Sequence, residues 1–269
     1  MKNILIGSFP YVSNPLSYFI DSVKKLGYKD IEFYAASPHC YLDDVNIDRA
    51  KEIKKQLDAA ELNVEVFTPE QWDYQMSISL DDEKVRNRSF AYYEKALDVA
   101  SILGAKYMSL ISGYGYLNGD PKKDYERGID GIKKLLEKAK KLNITLLLEI
   151  DKESSINTSD KVLKALNDIN DDNLKVLLDS NAIYAAKEDF EEAYIKLKDY
   201  IKHIHLNDFD KINGTNIIPG EGIMPMNEYK NVLNKYHYDG FVTCELRGYT
   251  YQDEPEEATI KALNWLKEE

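Results

Sequence analysis

Short apolar runs alternate with longer amphipathic segments along the whole chain. The short runs have the length and aliphatic content of buried strands, and the longer segments repeat apolar positions with the 3.6-residue period of a helix. The predicted strands are residues 3–7, 30–34, 63–68, 106–112, 144–150, 174–179, 203–206 and 241–246. The predicted helices are residues 15–26, 47–60, 82–103, 122–142, 159–169, 190–197, 226–236 and 256–267.

This strict alternation predicts a parallel sheet with crossover helices. The strand–helix pairs fill all 269 residues, and no linker-like or low-complexity stretch separates them. We therefore predict a single α/β domain over residues 1–269, a closed (β/α)8 TIM barrel. An open doubly wound sheet is the alternative, although neither a G-x-G-x-x-G nor a Walker A pattern follows the first strand.

Each of the last four predicted strands ends in a side chain that can bind a metal. The apolar strand at 144–150 runs into a carboxylate, which needs a cation or a proton when it is buried. The four candidate ligands are Glu149, Asp179, His205 and Glu245. They are spaced by 30, 26 and 40 residues, about one βα unit each, so a barrel would bring them to one mouth. The alternative is four unrelated buried polar residues, with Glu149 paired to a lysine.

Three carboxylates and one imidazole form an oxygen-rich set that suits one divalent ion, Mn²⁺ first, with Mg²⁺ or Co²⁺ as alternatives. Four protein ligands on a six-coordinate ion leave two positions, which fit a substrate with adjacent carbonyl and hydroxyl oxygens. Such an ion would acidify the C–H bond beside the carbonyl. Glu149 and Glu245, on opposite sides of a bound sugar, would then serve as general base and general acid.

Composition narrows the classes of partner. A net charge of −12 and a pI of about 5.0 argue against a nucleic-acid or anionic-membrane surface. The two cysteines form no C-x-x-C pair, and the amino-terminal apolar run is too short for a signal peptide or membrane span. We therefore expect a cytoplasmic protein. Four histidines are too few for the three-zinc cluster of the abasic-site endonucleases that share this type of barrel.

Five short motifs follow predicted strands or lie at their ends. They are Gly-Tyr-Lys-Asp-Ile-Glu at 27–32, Ser-Pro-His at 37–39, Phe-Thr-Pro-Glu at 67–70, His-Ile-His-Leu-Asn-Asp at 203–208 and Ile-Pro-Gly-Glu-Gly at 218–222. These motifs resemble the sugar phosphate isomerase/epimerase superfamily of xylose isomerase-like barrels, and within it the branch of fructoselysine and ketose 3-epimerases. The resemblance implies a TIM barrel, one divalent metal and inversion at C3 through a cis-enediolate. It also implies that the four candidate ligands bind the metal, and that Glu149 and Glu245 form the acid/base pair. A dimer or tetramer is expected from the resemblance alone.

The chain departs from the free-ketohexose epimerases at two positions. Those enzymes have a substrate-binding histidine three residues after the metal aspartate, where this chain has Ala182, and an arginine six residues after the metal histidine, where it has Lys211. Both differences favour the fructoselysine branch over a tagatose- or psicose-type substrate. Glu153 is the nearest match to the family's second glutamate after the fifth strand, and the resemblance implies that it binds substrate.

Other residues near predicted strand ends are candidates for substrate contacts. His39, Glu70 and Arg247 are predicted to bind substrate, and Glu32 either binds substrate or fixes a loop. His203 is expected to pack between the strands and the helices. The turn at 219–222 is a weak candidate for a phosphate cradle.

Other functions fit the same candidate residues. An inosose-type dehydratase or an aldose–ketose isomerase could use the same metal site, and a non-catalytic sugar-binding barrel needs no acid/base pair.

Overall fold

The chain folds into a nearly closed parallel barrel surrounded by helices, as the alternating pattern predicts. The structure is a computed structural model that describes residues 1–72, 76–247 and 250–268. The barrel strands are β1 (Asn3–Ile4), β2 (Ile6–Gly7), β3 (Asp30–Ala35), β4 (Asn63–Pro69), β5 (Tyr107–Leu110), β6 (Thr145–Glu149), β7 (Leu174–Asp179), β8 (Ile201–His205) and β11 (Phe241–Thr243). A separate antiparallel hairpin pairs β9 (Asp208–Asp210) with β10 (Thr215–Ile217).

The first strand closes the barrel because its two halves pair with different neighbours. The strand order is β1-β11-β8-β7-β6-β5-β4-β3-β2, and every pairing in this sheet is parallel. Leu5 separates β1 from β2, and its N–H donates to the carbonyl of Val242 at 2.9 Å. One extended segment therefore pairs with the last strand through its first half and with β3 through its second.

Eight of the α-helices in the described part of the chain lie where the apolar period predicts them, and the short helix α6 was not predicted. The helices are α1 (Leu16–Lys25), α2 (Ile47–Ala59), α3 (Glu83–Leu103), α4 (Pro121–Lys141), α5 (Ser159–Ile169), α6 (Ser180–Ala185), α7 (Phe190–Leu197), α8 (Met226–Lys235) and α9 (Pro255–Lys267). Asp82 and Asp120 cap the amino ends of α3 and α4 with side-chain oxygens, and Gly104 ends α3 in the left-handed conformation. Among the described residues, no helix is both long and apolar enough to cross a membrane.

Two apolar cores lie on opposite faces of the sheet. The larger one packs the outward residues of the strands against the helices. The smaller one, here named the lumen cluster, consists of Leu5, Val66, Leu147 and Leu177, each 0–2% exposed. These residues come from strands that are not all neighbours, so they can meet only inside the barrel. The barrel is thus a filled core rather than a channel.

Candidate metal centre

The four candidate ligands meet at the carboxyl end of the barrel. One ligand atom from each side chain lies within 4.8 Å of the ligand atoms of the other three. The Nδ1 atom of His205 lies 3.6 Å from a carboxylate oxygen of Glu149 and 3.8 Å from one of Asp179. It lies 3.5 Å from an oxygen of Glu245. The structure therefore brings together the side chains that the strand ends indicated.

Strand pairing and alternation explain this convergence. Asp179 and His205 are register partners at the ends of β7 and β8. Glu149 lies two residues beyond the inward-facing Leu147 on β6, and side chains two residues apart on a strand point to the same face. The lumen face of each strand thus passes from buried core to the barrel mouth within two residues.

The geometry fits a divalent cation. His205 donates its Nε2 hydrogen to Glu32 at 2.9 Å, whereas its buried Nδ1 atom has no hydrogen-bond partner among the described residues. Two ligands that each lie about 2.1 Å from one ion lie roughly 3–4 Å from each other. The distances from His205 Nδ1 to the three carboxylate oxygens, 3.5–3.8 Å, are in this range. Carboxylate oxygens with one imidazole nitrogen form a set that Mn²⁺ or Mg²⁺ accepts.

Each of the three carboxylates is held by the side-chain amide of a neighbouring residue. The pairs are Gln71 Nε2 with Glu149 Oε2 at 3.3 Å, Asn207 Nδ2 with Asp179 Oδ2 at 3.4 Å, and Asn216 Nδ2 with Glu245 Oε2 at 2.8 Å. These amides donate hydrogen bonds to the carboxylates and add no charge to the site.

These three amides are not among the residues predicted from the sequence. Asn207 could have been predicted, because it follows His205 by two residues and two residues is the period of a strand. Gln71 is oriented by contacts distant in sequence, since its Oε1 accepts hydrogen bonds from the Tyr93 hydroxyl at 2.8 Å and the Ile111 N–H at 3.2 Å. Asn216 lies on the β9–β10 hairpin, which the periodicity did not predict.

Burial and mutual repulsion shift the pKa values of the cluster. Burial raises the pKa of Glu149, and burial together with the charge of Glu245 raises the pKa of Asp179 to about 8. Burial alone would raise the pKa of Glu245 as well, but the positive charge of His205, helped by Arg247, lowers it. Burial would lower the pKa of His205, but the surrounding carboxylates outweigh burial and raise it well above its usual value.

A cavity of about 870 Å³ opens above the cluster. Glu149, Asp179 and Glu245 line its base, and residues of the β6–α5 loop, α6, the β9–β10 hairpin and α8 line its walls. Its size is within the range of small-molecule sites in proteins. The candidate ligands thus face a space that can hold a substrate.

Two of the predicted substrate-binding residues line this cavity, and two do not. Glu153 and Arg247 lie in its wall, and Arg247 Nε is 3.7 Å from Glu245 Oε1. His39 is 2% exposed, and its Nε2 contacts the Asn14 carbonyl at 2.8 Å. Glu70 is buried, and its carboxylate accepts a hydrogen bond from the Trp72 N–H. Neither His39 nor Glu70 is among the described residues that line the cavity, and a substrate role for each stays a prediction.

The expectation for His203 was wrong. His203 does not pack between strands and helices; its Nε2 donates to Glu32 at 2.9 Å inside the barrel, next to His205. The reason is the two-residue period of a strand, which gives His203 and His205 the same face.

The turn at 219–222 holds a carboxylate of the chain itself. The side chain of Asp208 accepts hydrogen bonds from the backbone N–H groups of Gly220 at 3.0 Å, Gly222 at 2.9 Å and Met224 at 2.9 Å. The backbone donors that were considered for a phosphate are therefore already paired, and they fix the turn.

Comparison with known proteins agrees with the fold. The model of the xylose isomerase-like TIM barrel family matches residues 20–269. The chain belongs to this family. One relative is a fructoselysine 3-epimerase of Escherichia coli O157:H7. It is 30% identical to this chain over 254 residues, which cover 93% of this chain and 91% of that protein.

Three further relatives extend the comparison. A D-psicose 3-epimerase of Agrobacterium fabrum is 26% identical over 236 residues, covering 84% of this chain and 78% of that protein. The solved structure of an L-ribulose 3-epimerase has a TM-score of 0.81 at 20% identity, covering 99% of this chain and 93% of that chain. The Escherichia coli and Agrobacterium fabrum relatives are epimerases, which belong to the isomerase class of enzymes, and they support the resemblance found in the motifs. An inosose dehydratase of Clostridium perfringens is also similar, at 27% identity over 186 residues, covering 62% of this chain and 61% of that protein.

Proposed function

We propose that the protein is a divalent-metal-dependent epimerase that inverts C3 of a ketose or ketosamine. The observation that carries the proposal is the convergence of three carboxylates and one imidazole, all within 4.8 Å, at the base of an 870 Å³ cavity. The epimerase activity named for two of the curated relatives supports the reaction type. We propose Mn²⁺ as the ion, and a cytoplasmic location and a homo-oligomeric state stay predictions.

The proposed metal ligands are Glu149, Asp179, His205 and Glu245. A divalent ion bound there would hold the adjacent carbonyl and hydroxyl oxygens of the substrate and stabilise negative charge on the carbonyl oxygen. The three protein carboxylates would balance the charge of the ion, and the amides of Gln71, Asn207 and Asn216 would keep the carboxylates oriented.

Glu149 and Glu245 would move the proton at C3. One of them, as a carboxylate, removes the C3 proton, and the C–H electron pair forms the C2–C3 double bond while the carbonyl becomes an oxyanion. The other, as a carboxylic acid, delivers a proton to the opposite face of C3, and the C2 carbonyl reforms. No atom is gained or lost, and the two glutamates exchange protonation states in each turnover. The planar cis-enediolate between the two steps permits inversion.

The cavity supports a substrate larger than a free hexose. Ala182 lines the cavity at the position where the free-ketohexose pattern has a histidine, so the wall is open there. Lys211 is exposed and is not among the described residues that line the cavity. Lys152 and Glu153 bring both signs of charge to the wall, which suits the ammonium and carboxylate groups of an amino-acid adduct. A ketosamine related to fructoselysine is therefore the substrate that we propose first.

Proton NMR in deuterated water tests the reaction. Purified protein is stripped with a chelator, reloaded with Mn²⁺ and incubated with fructoselysine, fructose, tagatose or psicose, and the sugar is freed of Mn²⁺ before spectra are recorded. We expect metal-dependent loss of the H3 signal together with the C3 epimer, and the fastest reaction with fructoselysine.

Other outcomes contradict the proposal in different ways. Loss of water with formation of a new keto product would identify a dehydratase, and exchange at C1 or C2 would identify an aldose–ketose isomerase. Metal binding with no exchange in any of these sugars would contradict epimerisation of this substrate class.

A further inference from the structure

Glu32 is a fully buried carboxylate in the lumen that is not one of the four candidate ligands. It lies on β3, is 0% exposed, and accepts three hydrogen bonds. The Thr68 hydroxyl donates to Oε1 at 2.6 Å. Nε2 of His203 lies 2.9 Å from Oε2, and Nε2 of His205 lies 2.9 Å from Oε1. A buried charge of this kind is costly unless it is paired and hydrogen-bonded, and this one is.

The contacts define which nitrogen of each imidazole carries a hydrogen. A carboxylate oxygen only accepts hydrogen bonds, so both histidines donate from Nε2 to Glu32. The Nδ1 atom of His205 is then the nitrogen directed at Glu149, Asp179 and Glu245. Turning the ring over would put carbon Cδ2 in place of Nδ1 and carbon Cε1 in place of Nε2, which would break the contact with Glu32.

We propose that Glu32 is a positioning residue for the metal centre, which holds His205 with Nδ1 available to the ion while His203 and Thr68 hold Glu32 itself. This inference rests on the metal site of the proposed function. Metal-bound histidines commonly donate their other N–H to a carboxylate, and removal of that partner lowers metal affinity about 10–100-fold.

A purely structural role is the competing explanation. In that case Glu32 would only satisfy two buried imidazoles, and its replacement would change folding stability without changing metal affinity. The chain offers a matched control in Glu65, a buried carboxylate on the adjacent strand β4 that pairs with Lys106 at 2.8 Å. Glu65→Gln makes the same chemical change at a buried glutamate and leaves the Glu32 network intact.

The test measures Mn²⁺ affinity by isothermal titration calorimetry in wild type, Glu32→Gln and Glu65→Gln. We expect Glu32→Gln to weaken Mn²⁺ binding about 10–100-fold and Glu65→Gln to leave it unchanged. Wild-type affinity in Glu32→Gln would overturn the inference, even if the variant were less stable. Absence of Mn²⁺ binding by the wild type would instead contradict the proposed function, so the two failures are distinguishable.

Imidazole nitrogen NMR provides a second readout that stability alone does not move. Glutamine has one acceptor oxygen and one donor nitrogen, so it cannot accept from both histidines as Glu32 does. In the Mg²⁺-loaded protein we expect one of the two to change its tautomer in Glu32→Gln but not in Glu65→Gln. The spectrum contains only four histidines, which makes the assignment practical. Unchanged tautomers of both His203 and His205 would overturn the inference.

Thr68→Val serves if Glu32→Gln does not fold. It removes one hydrogen bond to Glu32 Oε1 and keeps the shape of the side chain. We expect a loss of Mn²⁺ affinity of about three- to tenfold, the effect of one net hydrogen bond. Wild-type affinity in Thr68→Val would then count against the proposed role.

Discussion

The two ends of the barrel lumen are built from the same strands but have opposite chemistry. Towards the amino ends of the strands lies the lumen cluster, which includes Leu147 and Leu177 and carries no charge. Two residues further along the same strands, Glu149 and Asp179 belong to the candidate metal centre. Both layers are buried, but burial has opposite effects on them. Burial of the apolar lumen cluster stabilises the fold, whereas burial of the carboxylates destabilises it unless a cation is bound.

The contrast indicates how the fold supports the site. The lumen cluster fills the barrel below the ligands and keeps water away from that side, so the carboxylates titrate in a poorly solvated environment. The raised pKa values of Glu149 and Asp179 are a direct consequence of this burial. One layer of the lumen therefore contributes to folding stability and the other carries the candidate metal centre. Substitutions in the lumen cluster should change stability, and substitutions in the metal centre should change activity.

The largest expected effect is on turnover at the charged end. Glu149→Gln and Glu245→Gln each remove a group proposed to transfer a proton, and general acid–base catalysis contributes about 10²–10⁴-fold. We expect kcat for epimerisation to fall by at least that range at saturating Mn²⁺, with the metal content of each variant measured in parallel. Glu65→Gln is the matched control and should keep wild-type kcat. Turnover that survives both substitutions would contradict the acid/base roles.

Substitutions at the apolar end of the lumen should lower the free energy of unfolding instead. Leu177→Ala leaves a cavity in the lumen cluster, and substitutions of this kind cost about 2–5 kcal/mol in the free energy of unfolding. We expect this loss in denaturant unfolding of the metal-free protein, with Mn²⁺ affinity unchanged. Leu178→Ala on the outward face of the same strand is the comparison, and it should cost a similar amount. A large fall in Mn²⁺ affinity in Leu177→Ala alone would show that the two layers are coupled.

The sequence predicts most of the fold because local patterns encode it. The eight apolar runs correspond to the nine barrel strands of the described chain, since the first run spans both β1 and β2, and the helical periods correspond to eight of its α-helices. The short helix α6 escaped prediction because its six residues are too few to show a helical period. Asp179, itself a candidate ligand, caps this helix by accepting the Ala182 N–H at 2.7 Å. The hairpin β9–β10 escaped because its strands are too short to show a period.

The same reasoning explains which parts of the site could be predicted. Glu149, Asp179 and His205 are the last residues of their strands and Glu245 lies two residues beyond β11, so the barrel brings all four to one mouth. Glu32 meets His203 and His205 only because the barrel closes, since these residues are 171 and 173 positions apart in sequence. Contacts across the lumen and from loops, such as that of Gln71, depend on tertiary geometry, which one sequence does not reveal.

The smallest effect that we predict is a pH dependence of stability in protein stripped of metal by a chelator. The pKa of Asp179 is about 8, and that of Glu149 is also raised, so the folded protein retains protons that the unfolded chain has lost above about pH 5. Stability therefore falls as pH rises from 6 to 8, because the folded state must give up these protons while the unfolded state is already ionised. The raised pKa of His205 acts in the same direction, since its ion pairs weaken as it loses its proton.

We expect the melting temperature of the stripped protein to fall by a few degrees between pH 6 and pH 8. Saturating Mn²⁺ should remove most of this slope, because a bound cation replaces the protons that the carboxylates otherwise retain. Asp179→Asn is the informative variant, since it deletes a carboxyl group whose pKa is raised to about 8 and should reduce the slope without metal. If the melting temperature of the stripped wild type did not change with pH, burial of the charged layer would not lower the free energy of unfolding. The charged layer and the lumen cluster would then differ in composition but not in their effect on stability.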